Sequence, residues 1–141
     1  MDKNPVLEFP PNFKFGSSTA AFQVEGNTGE HNNDWDLFMK QNPHILKEGE
    51  KGPEWLIKGK AEKDIKQMAD LGLKIQRISI AWGRIEPEKG VINYNAIKRY
   101  KEIIKKIFDT GMSPLVTLNH YAIPDWVAKE GSWESPHVAH Y

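Results

Sequence analysis

Not one of the 141 residues is a cysteine, which excludes disulfides, zinc–cysteine sites and thiolate catalysis together. Nor does any run approach the roughly 18 apolar residues of a membrane-spanning helix, and the opening Met1-Asp2-Lys3-Asn4-Pro5 leads into no apolar signal segment. A membrane is therefore not an expected partner, and a cytoplasmic location is the expectation. Excess charge is missing as well: 19 Lys and Arg balance 19 Asp and Glu. No stretch gathers enough of one sign to track phosphates, so nucleic acid is not an expected partner either. Repeats and low-complexity tracts are absent.

Aromatic side chains are plentiful, with five Trp, four Tyr and six Phe. Such rings suit stacking on the apolar faces of sugars. A hydrophobic core uses them too, and composition alone favours that commoner role.

Apolar periodicity switches repeatedly between 2 and 3.6, which marks βα units and a parallel sheet. A first strand is expected over Phe13 to Ser18. The long excursion from Gly26 to Gly52 is expected to hold a short helix near Trp35 to Lys40, with Asp34 as its cap. From Lys60 a helical pattern puts Ile65, Met68 and Ala69 on one face and ends at Leu71-Gly72. A second strand is expected from Ile75 to Trp82, with Ile78 and Ile80 on one face and Arg77, Ser79 and Ala81 on the other. The helix-facing side should be continuously apolar, so Arg77 should point inward. Ile97, Tyr100, Ile103, Ile104, Ile107 and Phe108 then repeat as one helical face, with Asn95 or Asn93 to cap the start and Gly111 the end. Met112 to Leu118 reads as a third strand, with Pro114 near its beginning. A loop follows from Asn119 to Trp126.

Polar and aromatic residues at the C-terminal ends of such strands are where a (β/α)8 barrel places its active site. Three strands cannot close an eight-stranded barrel, and the fold typically takes about 250 residues. Either the chain is a smaller open α/β domain, or it stops early.

Arg77 is the most informative residue. A guanidinium inside a sheet must be paired with an anion to offset its desolvation, and no other inward strand position supplies an acid. Unless Arg77 snorkels to solvent, it holds an anionic group contributed from elsewhere. His120, between Asn119 and Tyr121 at the end of the third strand, is placed to offer a ring nitrogen to a ligand hydroxyl; a structural role is its alternative. No second ligand stands at metal spacing from it, and His137 and His140 read as surface residues. Gln23 can donate and accept at once, as neighbouring hydroxyls require, although a plain loop residue is its alternative. Glu25, Asp34, Asp36, Glu86, Glu88, Asp125 and Glu134 form no convincing acid and nucleophile pair, and read as capping, solvated or loop-bracing groups.

Four ordered motifs carry a resemblance. They are Phe13-Lys14-Phe15-Gly16-Ser17-Ser18-Thr19-Ala20-Ala21-Phe22-Gln23-Val24-Glu25-Gly26, then Asp34-Trp35-Asp36-Leu37-Phe38, then Arg77-Ile78-Ser79-Ile80-Ala81-Trp82-Gly83-Arg84-Ile85, and finally Leu118-Asn119-His120-Tyr121-Ala122-Ile123-Pro124-Asp125-Trp126 with Gly131-Ser132-Trp133. In that order they resemble the family 1 glycoside hydrolases, the β-glucosidase and β-galactosidase family, over nearly the whole chain. The resemblance implies an α/β (β/α)8 TIM barrel of which residues 1–141 are the N-terminal part of a single catalytic domain, covering roughly the first three βα units. It implies a retaining β-glycosidase acting on a small β-glycoside or oligosaccharide without metal or organic cofactor. Gln23 and His120 would bond hydroxyls of the non-reducing sugar, Tyr121 stands where the family commonly has Trp or Phe, and Arg77 would contact the nucleophilic carboxylate.

The family's acid/base lies in an Asn-Glu-Pro motif and its nucleophile in a Glu-Asn-Gly motif, and neither occurs here. The chain alone is therefore expected to be inactive, with the remainder of the barrel or a second copy as its partner. A non-catalytic remnant or interaction module is the alternative. A 6-phosphoglycoside specialist of the same family is a further one.

Overall fold

A computed structural model describes residues 8–26, 32–44 and 52–138. Parts of the Gly26 to Gly52 excursion, and His140, lie outside the described residues. Strands β1 (Gly16–Ser18), β2 (Ile75–Ser79) and β3 (Ser113–Thr117) form one parallel sheet in the order β1-β2-β3. The register sets Gly16 opposite Ile75, and Ile75 opposite Ser113. Helix α1 (Ala21–Val24) follows β1, α2 (Asp34–Gln41) lies in the excursion, and α3 (Lys60–Asp70) leads to β2. Then come α4 (Trp82–Ile85), α5 (Tyr94–Asp109) leading to β3, and α6 (Asp125–Lys129) with a 3₁₀ turn at Ser132–Glu134.

Helices α3 and α5 form as their apolar spacing requires, and Gly72 (φ 86°) and Gly111 (φ 79°) follow their last turns in the left-handed conformation. Of the two candidate caps for α5, Asn93 takes the role: its Oδ1 accepts from Asn95 N and Ala96 N, each at 3.1 Å. Both helices pack on one face of the sheet, where Ala61, Ile65, Ile78, Ile103, Ile107 and Met112 close a core with Trp55. Burying each of the larger aliphatic side chains stabilises the fold by about 1.5–3 kcal/mol relative to exposure.

Several expectations are corrected. Strand β1 begins at Gly16, not Phe13. Ahead of it Phe9, Phe13 and Phe15 pack on one another with ring centres 4.7–5.0 Å apart. Strand β2 ends at Ser79, and Trp82 opens a short helix in place of ending a strand. The helix-facing side of β2 is not uniformly apolar. Gln76 is fully buried there, and its amide is satisfied by Ser17, Thr19 and the Arg77 carbonyl, so the hydrogen bonds offset its desolvation. Phe108 is exposed, because it falls about 100° around α5 from Ile107 and past the buried stripe of Tyr100, Ile103 and Ile107. Asn33 caps α2 in place of Asp34, its Oδ1 accepting from Asp36 N at 3.1 Å. No described helix is long and apolar enough to cross a membrane.

Arg99 on α5 ties the two core helices together. It donates to both Glu62 oxygens on α3, at 2.5 and 3.0 Å, and to the carbonyls of Trp55 and Leu56. Hydrogen bonding from Arg99 holds the Glu62 carboxyl at about 2, below its usual 4.5. A carboxyl depressed in this way adds stability that is present above about 4.5 and is lost as pH falls toward about 2. Protection of the α3 amides, taken relative to their intrinsic exchange rate at each pH, is therefore expected to fall across that window. The Arg99→Leu variant should show a smaller fall; an identical pH profile of protection for both would refute the coupling.

Candidate functional site

The C-terminal ends of the three strands carry the residues singled out from the sequence. Gln23 lies exposed on α1, and its side-chain amide has no hydrogen-bond partner among the described residues. The turn beneath it is held on several sides. Ala21 N donates to Ser79 Oγ at 2.7 Å, Thr19 N to the Arg77 carbonyl at 2.9 Å, and Trp55 N to the Val24 carbonyl at 2.9 Å. Gly52 presses against the same turn so closely that a Cβ there would lie 2.5 Å from the Gln23 carbonyl oxygen.

Arg77 and Arg84 contrast sharply. Arg84 Nε donates to Glu25 Oε2 at 2.7 Å, and Arg84 also reaches the Gly26 carbonyl at 3.2 Å. Tyr100 donates to Glu25 Oε1 at 2.6 Å and accepts from Ala81 N at 3.1 Å. Burial pushes the Glu25 carboxyl above its ordinary value; Arg84 and Tyr100 pull it only part of the way back. Burial, then the Glu25 charge, hold the Tyr100 hydroxyl well above its own. Arg77 sits on the opposite face of β2 from Ile78. Its Nε is buried with no hydrogen-bond partner, and it makes no ion pair among the described residues.

After β3, His120 is exposed and packs edgewise on Tyr121, with ring centres 5.0 Å apart. Tyr121 in turn meets Trp35 at 5.2 Å and Phe22 at 6.2 Å, both edge to face, so rings from three separate segments close together. Burial raises the Tyr121 hydroxyl above its usual value. A small cleft is lined by Ala21, Phe22, Asn33, Ser79, His120 and Tyr121 among others. It brings His120 and Tyr121 together, whereas Gln23 and Arg77 are not among its lining residues.

Main-chain bonds knit the rim. Asp34 N donates to the Ile123 carbonyl at 3.0 Å, Ile123 N to Asp34 Oδ1 at 2.9 Å, and Asp125 N to the Asn32 carbonyl at 2.9 Å. The loop-bracing reading of the acids fits Asp34 and also Glu86, which accepts from Trp82 Nε1 at 2.9 Å and Gly90 N at 2.7 Å. Of the alternatives open for these acids, solvation does not apply to Glu25 and Glu86, which are buried. Desolvation lifts the half-buried Asp36 carboxyl to about 6. The Glu25–Arg84–Tyr100 cluster is the feature sequence reading missed, since its members are far apart in the chain and none carries a local signal. Among the described residues no group of three or more His, Asp and Glu side chains gathers that could hold a metal ion.

Parallel strands joined through helices, with polar and aromatic side chains at their C-terminal ends, make the chain part of a (β/α)8 barrel of the glycoside hydrolase class. Residues 6–141 match the family described as glycosyl hydrolase family 1. The chain belongs to that family. It is 34% identical over 141 residues to Myrosinase 1 of Brevicoryne brassicae, covering 95% of this chain and 30% of that one. Beta-glucosidase 11 of Arabidopsis thaliana is 36% identical over 136 residues, covering 93% of this chain and 26% of the relative. Among solved structures, the beta-glucosidase from Thermotoga maritima in complex with cyclophellitol superposes with a TM-score of 0.83 at 30% identity, covering 96% of this chain and 32% of that one. The chain thus spans about 30% of the length of such relatives.

Proposed function

We propose that residues 1–141 form the first part of a single catalytic barrel, and that the complete enzyme is a retaining β-glycosidase of the β-glucosidase or β-galactosidase type. One observation carries the reading. Arg77, partly exposed as a residue, buries its Nε with no hydrogen-bond partner among the described residues, while Arg84 is paired within the chain. A cation kept in that condition calls for an anion from outside these residues.

In a retaining glycosidase that anion is the nucleophilic carboxylate. It attacks the anomeric carbon while a second carboxyl, about 5–5.5 Å away, protonates the leaving oxygen; water then releases the sugar with the first configuration restored. In this scheme Arg77 holds the nucleophile charged and oriented. Gln23 and His120, whose side chains have no hydrogen-bond partner among the described residues, bond sugar hydroxyls, and Tyr121 with its aromatic neighbours borders the sugar. No cofactor enters the reaction, and the partner of the chain is the remainder of the barrel.

The complete polypeptide should hydrolyse aryl β-glycosides, with proton NMR showing the β-anomer of the free sugar first. The 141-residue chain alone should show no turnover above a blank, since positioning without the two carboxyl groups leaves the bond unprotonated and unattacked. First release of the α-anomer, or turnover by the purified chain, would overturn the reading.

A further inference from the structure

Glu25 and Arg84 form the described ion pair that has both side chains less than a tenth exposed. Its burial is not explained by stability, because desolvating two charges offsets most of their attraction, and burial here outweighs Arg84 in setting the Glu25 carboxyl. What such a pair does supply is a fixed geometry. Glu25 is the C-cap of α1, two residues beyond Gln23, and α1 has only four residues and no side-chain cap. A helix that short cannot hold itself in water. Its direction must come from the groups that grip it.

Ser79 grips the first residue of α1, and Trp55 the carbonyl of the last. Glu25 anchors the C-terminal end of the turn and reaches two further helices, α4 through Arg84 and α5 through Tyr100. The Tyr100 hydroxyl extends the chain of bonds to Ala81 N, shortly after β2. Gln23 itself has no side-chain partner among the described residues. The direction of its amide is therefore inherited from this turn.

We propose that Glu25, with Arg84 and Tyr100, is a positioning device for Gln23: it presets the amide toward a sugar hydroxyl so that its ordering is not left to the moment of binding. The inference rests on the reading of Gln23 as a hydroxyl-binding residue. A loosened turn would weaken one hydroxyl contact and leave the others alone.

The test uses the complete enzyme, a β-glycoside, and a set of its deoxy analogues, each lacking one sugar hydroxyl. Gln23→Ala should lower kcat/KM on the parent glycoside and not on one particular deoxy analogue, which identifies the hydroxyl it binds. Glu25→Gln is near in shape and can still bond Tyr100, but it removes the negative charge that faces Arg84. It should lower kcat/KM about tenfold on the parent glycoside, and much less on that same analogue. Added to Gln23→Ala, it should cost little more. Tyr100→Phe keeps the ion pair and should reproduce the pattern at smaller size, which carries the test if Glu25→Gln does not fold. A loss equal on every analogue and additive with Gln23→Ala would show a merely structural role. Full activity of a folded Glu25→Gln enzyme would overturn the proposal as well. Should Gln23→Ala show no hydroxyl-selective loss, the reading of Gln23 falls first and this proposal with it.

Discussion

Arg77→Met in the complete enzyme is expected to lower kcat by about a hundredfold or more while KM changes by only a few-fold. Methionine keeps much of the length and packing of arginine and removes the charge. A nucleophilic carboxylate that loses its cation is poorly held in direction. It is also more readily protonated at neutral pH, which removes the attacking species. Both losses fall on the chemical step, since the sugar is bound mainly by other groups. The same substitution at Arg84 should behave differently. It breaks a buried pair within the chain, which costs about 3–5 kcal/mol of stability because the Glu25 charge is left uncompensated. Arg77 has no hydrogen-bond partner among the described residues, so in the complete enzyme its loss affects the nucleophile alone, which can neutralise by taking up a proton, and the unfolding temperature should fall less than in the Arg84 variant. Steady-state kinetics and thermal unfolding of the two variants separate the cases. An unchanged kcat in Arg77→Met would place its guanidinium away from the reaction.

Legibility in the sequence tracked the range of the interactions. Helices α3 and α5 were readable because each announces its buried face within one stretch of chain, through Ile65 and through Tyr100, Ile103 and Ile107. Helix α4 was not, because Trp82-Gly83-Arg84-Ile85 is a single turn, too short to display a period. Asn33 and Asp34 are both good caps and adjacent, so composition could not choose between them; tertiary bonding did, by engaging Asp34 with Ile123. Gln76 was passed over when the helix-facing side was expected to be apolar, because its partners Ser17 and Thr19 lie on another segment of the chain. Arg77 was visible as a charge inside an apolar run. The grip on Gln23 was invisible, for Glu25 meets Arg84 across 59 positions and Tyr100 across 75. Gln23 and His120 have ordinary side chains, which position and chemistry marked as candidates with a structural role as the alternative, and the family resemblance favoured the sugar-binding one.

The 141-residue chain alone is not expected to unfold as a cooperative monomer. Among the described residues β1 and β3 are the edges of the sheet, and a parallel edge with unpaired N–H and C=O groups invites association. The apolar surface left open is large. Leu118 is 76% exposed and Trp133 57%, and both line a cleft of about 490 Å³ with Ile80, Ile85, Ile97 and Ile104. The Phe9, Phe13 and Phe15 cluster ahead of β1 is half-exposed or more. Contiguous patches of this kind are covered in stable monomers. Ordering costs about 1–2 kcal/mol of backbone entropy per residue however much surface is buried. A chain that covers only one face of its sheet recovers less of that cost than a closed barrel does. The net stability of a whole domain is only about 5–15 kcal/mol, so a shortfall of modest size removes cooperativity. Sedimentation and thermal scans at several concentrations should show self-association and a broad transition. Mixing with a second polypeptide that carries the remaining βα units should sharpen the transition and raise its midpoint, because burying the β3 edge and the Leu118–Trp133 cleft stabilises the folded form by mass action. A sharp, concentration-independent transition of a monomer, indifferent to that partner, would instead establish a self-contained three-stranded domain.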